Sequence, residues 1–158
     1  MTKQETIESA VQYFDEGYAC SQSILLAFAP RYNLDENTAK LISSTFGAGM
    51  GRLREKCGAV TGSFMVLGLE YGNTNPKDME TKLASYTKVR ELNQKVEAIY
   101  GTSSCLELIS KRTTEQEVTE RKHHKIVCRG VVATVAEILF DMVTPATQDS
   151  SSAATLKK

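Results

Sequence analysis

Phe46-Gly-Ala-Gly-Met-Gly-Arg52, followed by Cys57-Gly-Ala-Val-Thr-Gly62, is the stretch on which the reading of this chain turns. Three glycines between Gly47 and Gly51 favour irregular backbone and end any helix that runs into them. From about Cys57 to Tyr71 the sequence is apolar enough for a further helix, which Gly72-Asn73 closes. Gly58 and Gly62 are four apart, so such a helix carries both on one face, where another backbone or a bound group can come close. A glycine inside a helix costs about 0.5–1 kcal/mol relative to alanine. Two on one face therefore look like a tolerated cost for proximity. Tight helix–helix packing alone would account for the glycines; the Cys57 thiol beside them tilts the reading toward a site.

Working outward, the periodicity is helical nearly throughout. Ile7, Ala10, Val11 and Phe14 share a helical face, with Gly17 as a stop. A second apolar run opens at Cys20 with Ile24, Leu25 and Phe28 and ends near Pro30. Asp35 to Thr38 reads as a cap region that feeds Ala39, Leu41, Ile42 and Phe46. Asn75-Pro76 starts the longest amphipathic stretch, with Met79, Leu83, Tyr86, Val89, Leu92, Val96 and Ile99 on one stripe and Gly101 at its end. Thr102 to Ser104 can cap a short helix opening at Cys105. Lys111 to Lys125 is charged and reads as a solvated connection with some helix. A last helix is expected after Cys128, carrying Val131, Val132, Val135, Ile138, Leu139 and Met142. The fold expected is all-α, a single-domain bundle of about six to seven helices over residues 1–144. The tail, 145–158, is low in apolar residues and is expected to be disordered.

At 158 residues the chain can bury a sizeable core without disulfides. Lys plus Arg and Asp plus Glu are both 19, so its charge gives no reason to expect nucleic acid or an anionic membrane as partner. The start lacks the apolar core of a signal peptide, and no apolar stretch approaches a membrane span. The expected location is the cytoplasm, where thiols are normally reduced.

There are four cysteines, Cys20, Cys57, Cys105 and Cys128, each at or just before the start of an apolar helical run. A helix N-terminus presents unpaired N–H groups and partial positive charge, which favour thiolate over thiol. A single such cysteine is most often a small buried hydrophobe; four together point to a shared site. Their number suits an iron–sulfur cluster or a structural zinc site, but no C-x-x-C pair pre-organises two ligands, so the tertiary fold must assemble any centre. Weaker signals stand beside these. The Gly47-x-Gly49-x-Gly51 run does not follow a strand and lacks the dinucleotide fingerprint. Arg52, Arg54 and Lys56 could depress the pKa of Cys57, although a solvated basic surface is the plainer use. His123 and His124 lie in a charged stretch that suggests exposure, and no nucleophile-elbow context supports a hydrolase.

The ordered set of Cys20, Phe46-Gly-x-Gly-Met-Gly with Cys57-Gly-Ala-x-x-Gly62, Tyr100-Gly-x-x-x-Cys105 and Cys128 resembles the C_GCAxxG_C_C family, named for its cysteine pattern. The resemblance runs from about Cys20 to Met142. One departure is that the family label reads Gly-Cys-Ala where this chain has Lys56-Cys57-Gly58-Ala59. Members are described as redox-active, with the four cysteines as functional residues, and are similar to a part of split-Soret cytochromes. No C-x-x-C-H is present, so covalent haem attachment finds no support.

The resemblance implies Cys20, Cys57, Cys105 and Cys128 as the redox or metal-ligating residues, with Gly58 and Gly62 in support. The function expected is redox chemistry, either through a thiolate-bound metal or iron–sulfur centre or through thiol–disulfide exchange with an unidentified redox partner. The competing readings are a zinc-stabilised scaffold for partner binding, and a helical domain with inert core cysteines that forms a homo-oligomer through the Met79–Ile99 stripe.

Overall fold

The helices begin and end where side chains or glycines satisfy their loose backbone groups. The computed structural model describes the backbone of residues 1–111 and 120–145, and side chains for 1–110 and 125–145. Within them run seven right-handed α-helices: α1 (Lys3–Asp15), α2 (Cys20–Phe28), α3 (Glu36–Ser44), α4 (Gly58–Tyr71), α5 (Met79–Tyr100), α6 (Cys105–Lys111) and α7 (Glu120–Val143). A 3-10 turn, Ala29–Tyr32, holds Pro30 in its first turn. Thr2 and Glu5 form a reciprocal capping box on α1. Asp35 accepts the Thr38 N–H at 2.8 Å to open α3, and Asp78 accepts the Thr81 N–H at 3.1 Å to open α5. Gly101, with φ 75°, closes α5. Among the described residues there is no β-strand, and the one isolated β-bridge pairs Lys56 with Ser104. No helix among them is long and apolar enough to cross a membrane. The all-α class expected from periodicity is therefore the class found.

Two sequence expectations need correction. The long amphipathic helix starts at Met79 rather than at Pro76, because the Asp78 carboxylate supplies the cap. Its buried line passes through Ser85, Leu92 and Val96, which leaves Met79, Leu83, Tyr86 and Ile99 about half exposed. The last helix starts at Glu120, so Cys128 lies well inside it rather than at its N-terminus. Glu, Arg and Lys are good helix formers, and nothing between Glu120 and Cys128 breaks the run. The rest of the charged connection, 112–119, the side chains of His123 and His124, and the tail from residue 146 lie outside the described residues.

α2 is the centre of the packing. It is buried on nearly every side, from Ile24 through Phe28, and touches α1, α3, α4 and α7. Its polar residues are satisfied internally: Ser21 Oγ donates to Ser43 O at 2.7 Å, and Ser23 Oγ to Ala19 O at 2.9 Å. α4 lies across α2 on the face formed by Gly58 and Gly62. A Cβ on Gly62 would stand 2.7 Å from Ser21 O and 3.1 Å from Ser21 Cα, both backbone atoms. α7 completes the core with Val131, Val132, Val135 and Leu139. Its C-terminus is tied down by Arg31, which donates to Val143 O at 2.6 Å, and by the Tyr71 hydroxyl, which donates to Met142 O at 2.5 Å.

Because backbone cannot give way as a flexible side chain can, Gly62→Ala is expected to lower stability by about 1–3 kcal/mol despite its better helix propensity. Urea unfolding of the variant beside the parent checks this; an unchanged or raised midpoint would contradict the close approach.

Candidate functional site

All four cysteines line one cavity of about 610 Å³. They reach it from four helices by three local routes. Cys20 is the first residue of α2, and the N–H groups of Ala48 and Ser21 are directed at its sulfur. Cys57 is the N-cap of α4; its thiol closes no capping hydrogen bond, yet the N–H groups of Ala59 and Val60 face it. Cys105 opens α6, and Cys128 enters from the side of α7.

The positions of Cys57 and Cys105 are fixed together. The Cys57 N–H donates to Ser103 O at 2.8 Å, and the Cys105 N–H donates to Glu55 O at 2.6 Å, which closes the small antiparallel bridge. Behind it, Lys56 Nζ donates to Ser103 Oγ at 2.7 Å and to Asn93 Oδ1 at 3.1 Å, while Asn93 Nδ2 donates to Glu97 Oε1 at 2.6 Å. Lys56 is thus part of the frame of the site. Arg54 is the cation that meets a sulfur: its Nη1 donates to Cys105 Sγ at 3.7 Å, and its charge also acts on Cys128.

The glycine segment forms the remaining wall. Residues 48–52 all have left-handed φ, from 56° to 68°, and Arg54 adds another at 60°. Left-handed backbone costs non-glycine L-residues roughly 1–2 kcal/mol each, so Ala48, Met50, Arg52 and Arg54 hold strain here. Two turn bonds, Met50 N–H to Phe46 O at 3.1 Å and Gly51 N–H to Gly47 O at 2.8 Å, hold the run in shape. At Gly49 a Cβ would come within 2.6 Å of Cys105 Cβ, and at Gly58 one would come within 2.5 Å of Cys20 Sγ. These two glycines allow Cys105 and Cys20 to pack directly against the backbone.

The expectation that helix N-termini would hold the sulfurs as thiolates is reversed for three of them. Burial, the largest influence, pushes the thiols of Cys20 and Cys57 up, against the N–H groups that face them. Burial also pushes Cys128 up to about 12, with Arg54 acting in the opposite direction. Neighbouring thiols add to each rise, because charging one sulfur disfavours charging the next. Cys20 keeps some exposure as a residue, but its sulfur lies deep among protein atoms. All four are free cysteines. Among the described residues, no three His, Cys, Asp or Glu side chains stand close enough together to hold a single metal ion.

A model of one protein family, described as "Putative redox-active protein (C_GCAxxG_C_C)", matches residues 18–142. The chain belongs to this family. No curated protein and no solved structure matches it. The matched span of the C_GCAxxG_C_C family takes in all four cysteines, Gly58 and Gly62 of α4 and the left-handed run. From sequence, Arg54 stands only as one of three basic residues before Cys57, and the Glu55–Cys57 pairing with Ser103–Cys105 has no local signal. The only signal was the cluster of basic residues before Cys57, and it pointed at the wrong cysteine.

The raised thiol pKa values fix the sign of a pH effect. An unfolded chain releases thiol protons near pH 8.5, whereas the folded chain holds those of Cys20, Cys57 and Cys128 to higher pH. Their contribution is complete below about pH 8.5 and is lost as pH rises toward the folded values, since the native state then binds more protons than the unfolded one. Urea midpoints of the metal-free, reduced protein are expected to fall between pH 8 and pH 10, and to fall less in Cys128→Ser.

Proposed function

We propose that this protein is a redox carrier whose four thiols bind a polynuclear metal–sulfur centre, an iron–sulfur cluster being the form that suits them best. The observation that carries the reading is that four cysteines from four helices line a single cavity. Four thiolates are the usual complement of such a cluster, and N–H groups directed at sulfur are among the means by which proteins set its potential. The donor set fits: all four ligands are sulfur, and the lack of a side chain at Gly49 and Gly58 lets Cys105 and Cys20 sit close against the backbone at the cavity wall.

Two features favour this over the other uses of four cysteines. The thiols stand around a volume rather than about one point, which suits several metal ions better than one closed zinc site. Burial keeps Cys20, Cys57 and Cys128 as thiols, which slows thiol–disulfide exchange because exchange needs thiolate, whereas a metal displaces the protons itself. When bound, the cluster would supply one-electron transfer. The chain's part is to hold the four sulfurs, exclude bulk water from Cys57, and direct the Ala48, Ala59 and Val60 N–H groups at sulfur.

Protein purified without oxygen is expected to contain iron and acid-labile sulfide and to show a visible absorption band. Cys57→Ser should lose most of the iron and the band while keeping its helical circular dichroism. Stoichiometric zinc without colour would replace this reading with the scaffold. Absence of metal, with four thiols that titrate freely, would leave disulfide chemistry or inert cysteines.

A further inference from the structure

The cavity has a second chemical character besides its thiols. Three cationic side chains line it, Arg52, Arg54 and Lys125, and no carboxylate does among the described lining residues. Arg54 is half-buried, while Arg52 and Lys125 are exposed, so positive charge runs from solvent inward to Cys105. None of the three forms an ion pair among the described residues. Asp15 feels Lys125 but is already held by Arg129 at 2.9 and 3.1 Å. The left-handed backbone at Arg52 and Arg54 is strained, which an ordinary solvated basic surface would not require. The N-terminal ends of α2 and α4 add partial positive charge at the same wall. The lining also includes the apolar Phe14, Leu108, Val127 and Val131.

We propose that the cavity binds a small organic anion, its carboxylate or other acidic head held by Arg54 with Arg52 and Lys125, and its apolar body against Phe14, Leu108, Val127 and Val131. The volume, about 610 Å³, falls in the range of small-molecule sites and exceeds what an inorganic oxyanion needs. A guanidinium can grip a carboxylate through two parallel hydrogen bonds, which makes Arg54 the chief anchor. The proposal rests on taking the thiol-lined cavity as the functional centre, but not on which metal, if any, the thiols hold.

The test is calorimetric titration of the full-length protein, purified without oxygen, with benzoate, benzamide and sulfate at constant ionic strength. Benzoate is expected to bind saturably and to slow iodoacetamide alkylation of any thiol left free at Cys105. Arg54→Gln should weaken benzoate by about tenfold or more, the scale of one charge-assisted hydrogen bond. Arg54→Lys should recover part of that loss, Lys125→Gln should weaken binding less, and Lys95→Gln, which pairs with Glu91 on α5 away from the cavity, should leave it unchanged. Circular dichroism on each variant separates lost binding from lost fold, and Lys125→Gln keeps the test decisive if Arg54→Gln does not fold. Benzamide binding as well as benzoate, sulfate binding as tightly, or no benzoate binding at all would overturn the proposal. Metal and sulfide are assayed on the same samples, so benzoate binding without a cluster would sink the carrier reading alone, and a cluster without benzoate binding would sink the anion site alone.

Discussion

Gly62 lies against the backbone of Ser21, and Gly58 against the sulfur of Cys20, so one helix contact serves both the core and the site. α2 and α4 can approach this closely only because α4 presents no side chain at those two positions. The approach sets Cys20, at the start of α2, beside Cys57, at the start of α4. Every other part of the thiol cavity is placed relative to that pair. The left-handed run connects toward Cys57 by way of Arg54, the Lys56–Ser104 bridge sets Cys105, and α7 packs its valines on the same core as it presents Cys128.

The site is shaped by competition between burial and local polarity. Helix N-termini and directed N–H groups pull the sulfurs toward the thiolate form, while removal from water pushes them back, and burial is the larger effect at Cys20, Cys57 and Cys128. A site of this kind stores neutral thiols and gains most from a ligand that takes their protons away. The five-residue left-handed segment has the same logic. It is costly for the non-glycine residues in it, and in return it brings Gly49 against Cys105, directs the Ala48 N–H at Cys20 and sends Arg54 to the Cys105 sulfur.

Much of the scaffold was legible residue by residue because its signals are local. Asp35 before Glu36–Ser44, Gly101 after Tyr100, and the apolar period from Gly58 to Tyr71 each act within a turn or two of the backbone, and the helices form where those signals stand. Errors arose where a local signal had a stronger neighbour: Asp78 capped α5 after Pro76 had suggested an earlier start, and the charged residues from Glu120 carried α7 past Cys128.

The sequence by itself determined the all-α class, the break at Gly47–Gly51, the glycine face of α4 and the cysteine pattern by which the family is matched. Each of these depends on residue type and short spacing, which the chain displays directly. The tertiary structure alone decided that four cysteines spread from residue 20 to residue 128 meet around one cavity, that Arg54 rather than its basic neighbours reaches a sulfur, and that burial pushes the thiols of Cys20, Cys57 and Cys128 up. Those properties depend on distance through space and on exclusion of water, and neither exists until the helices have packed.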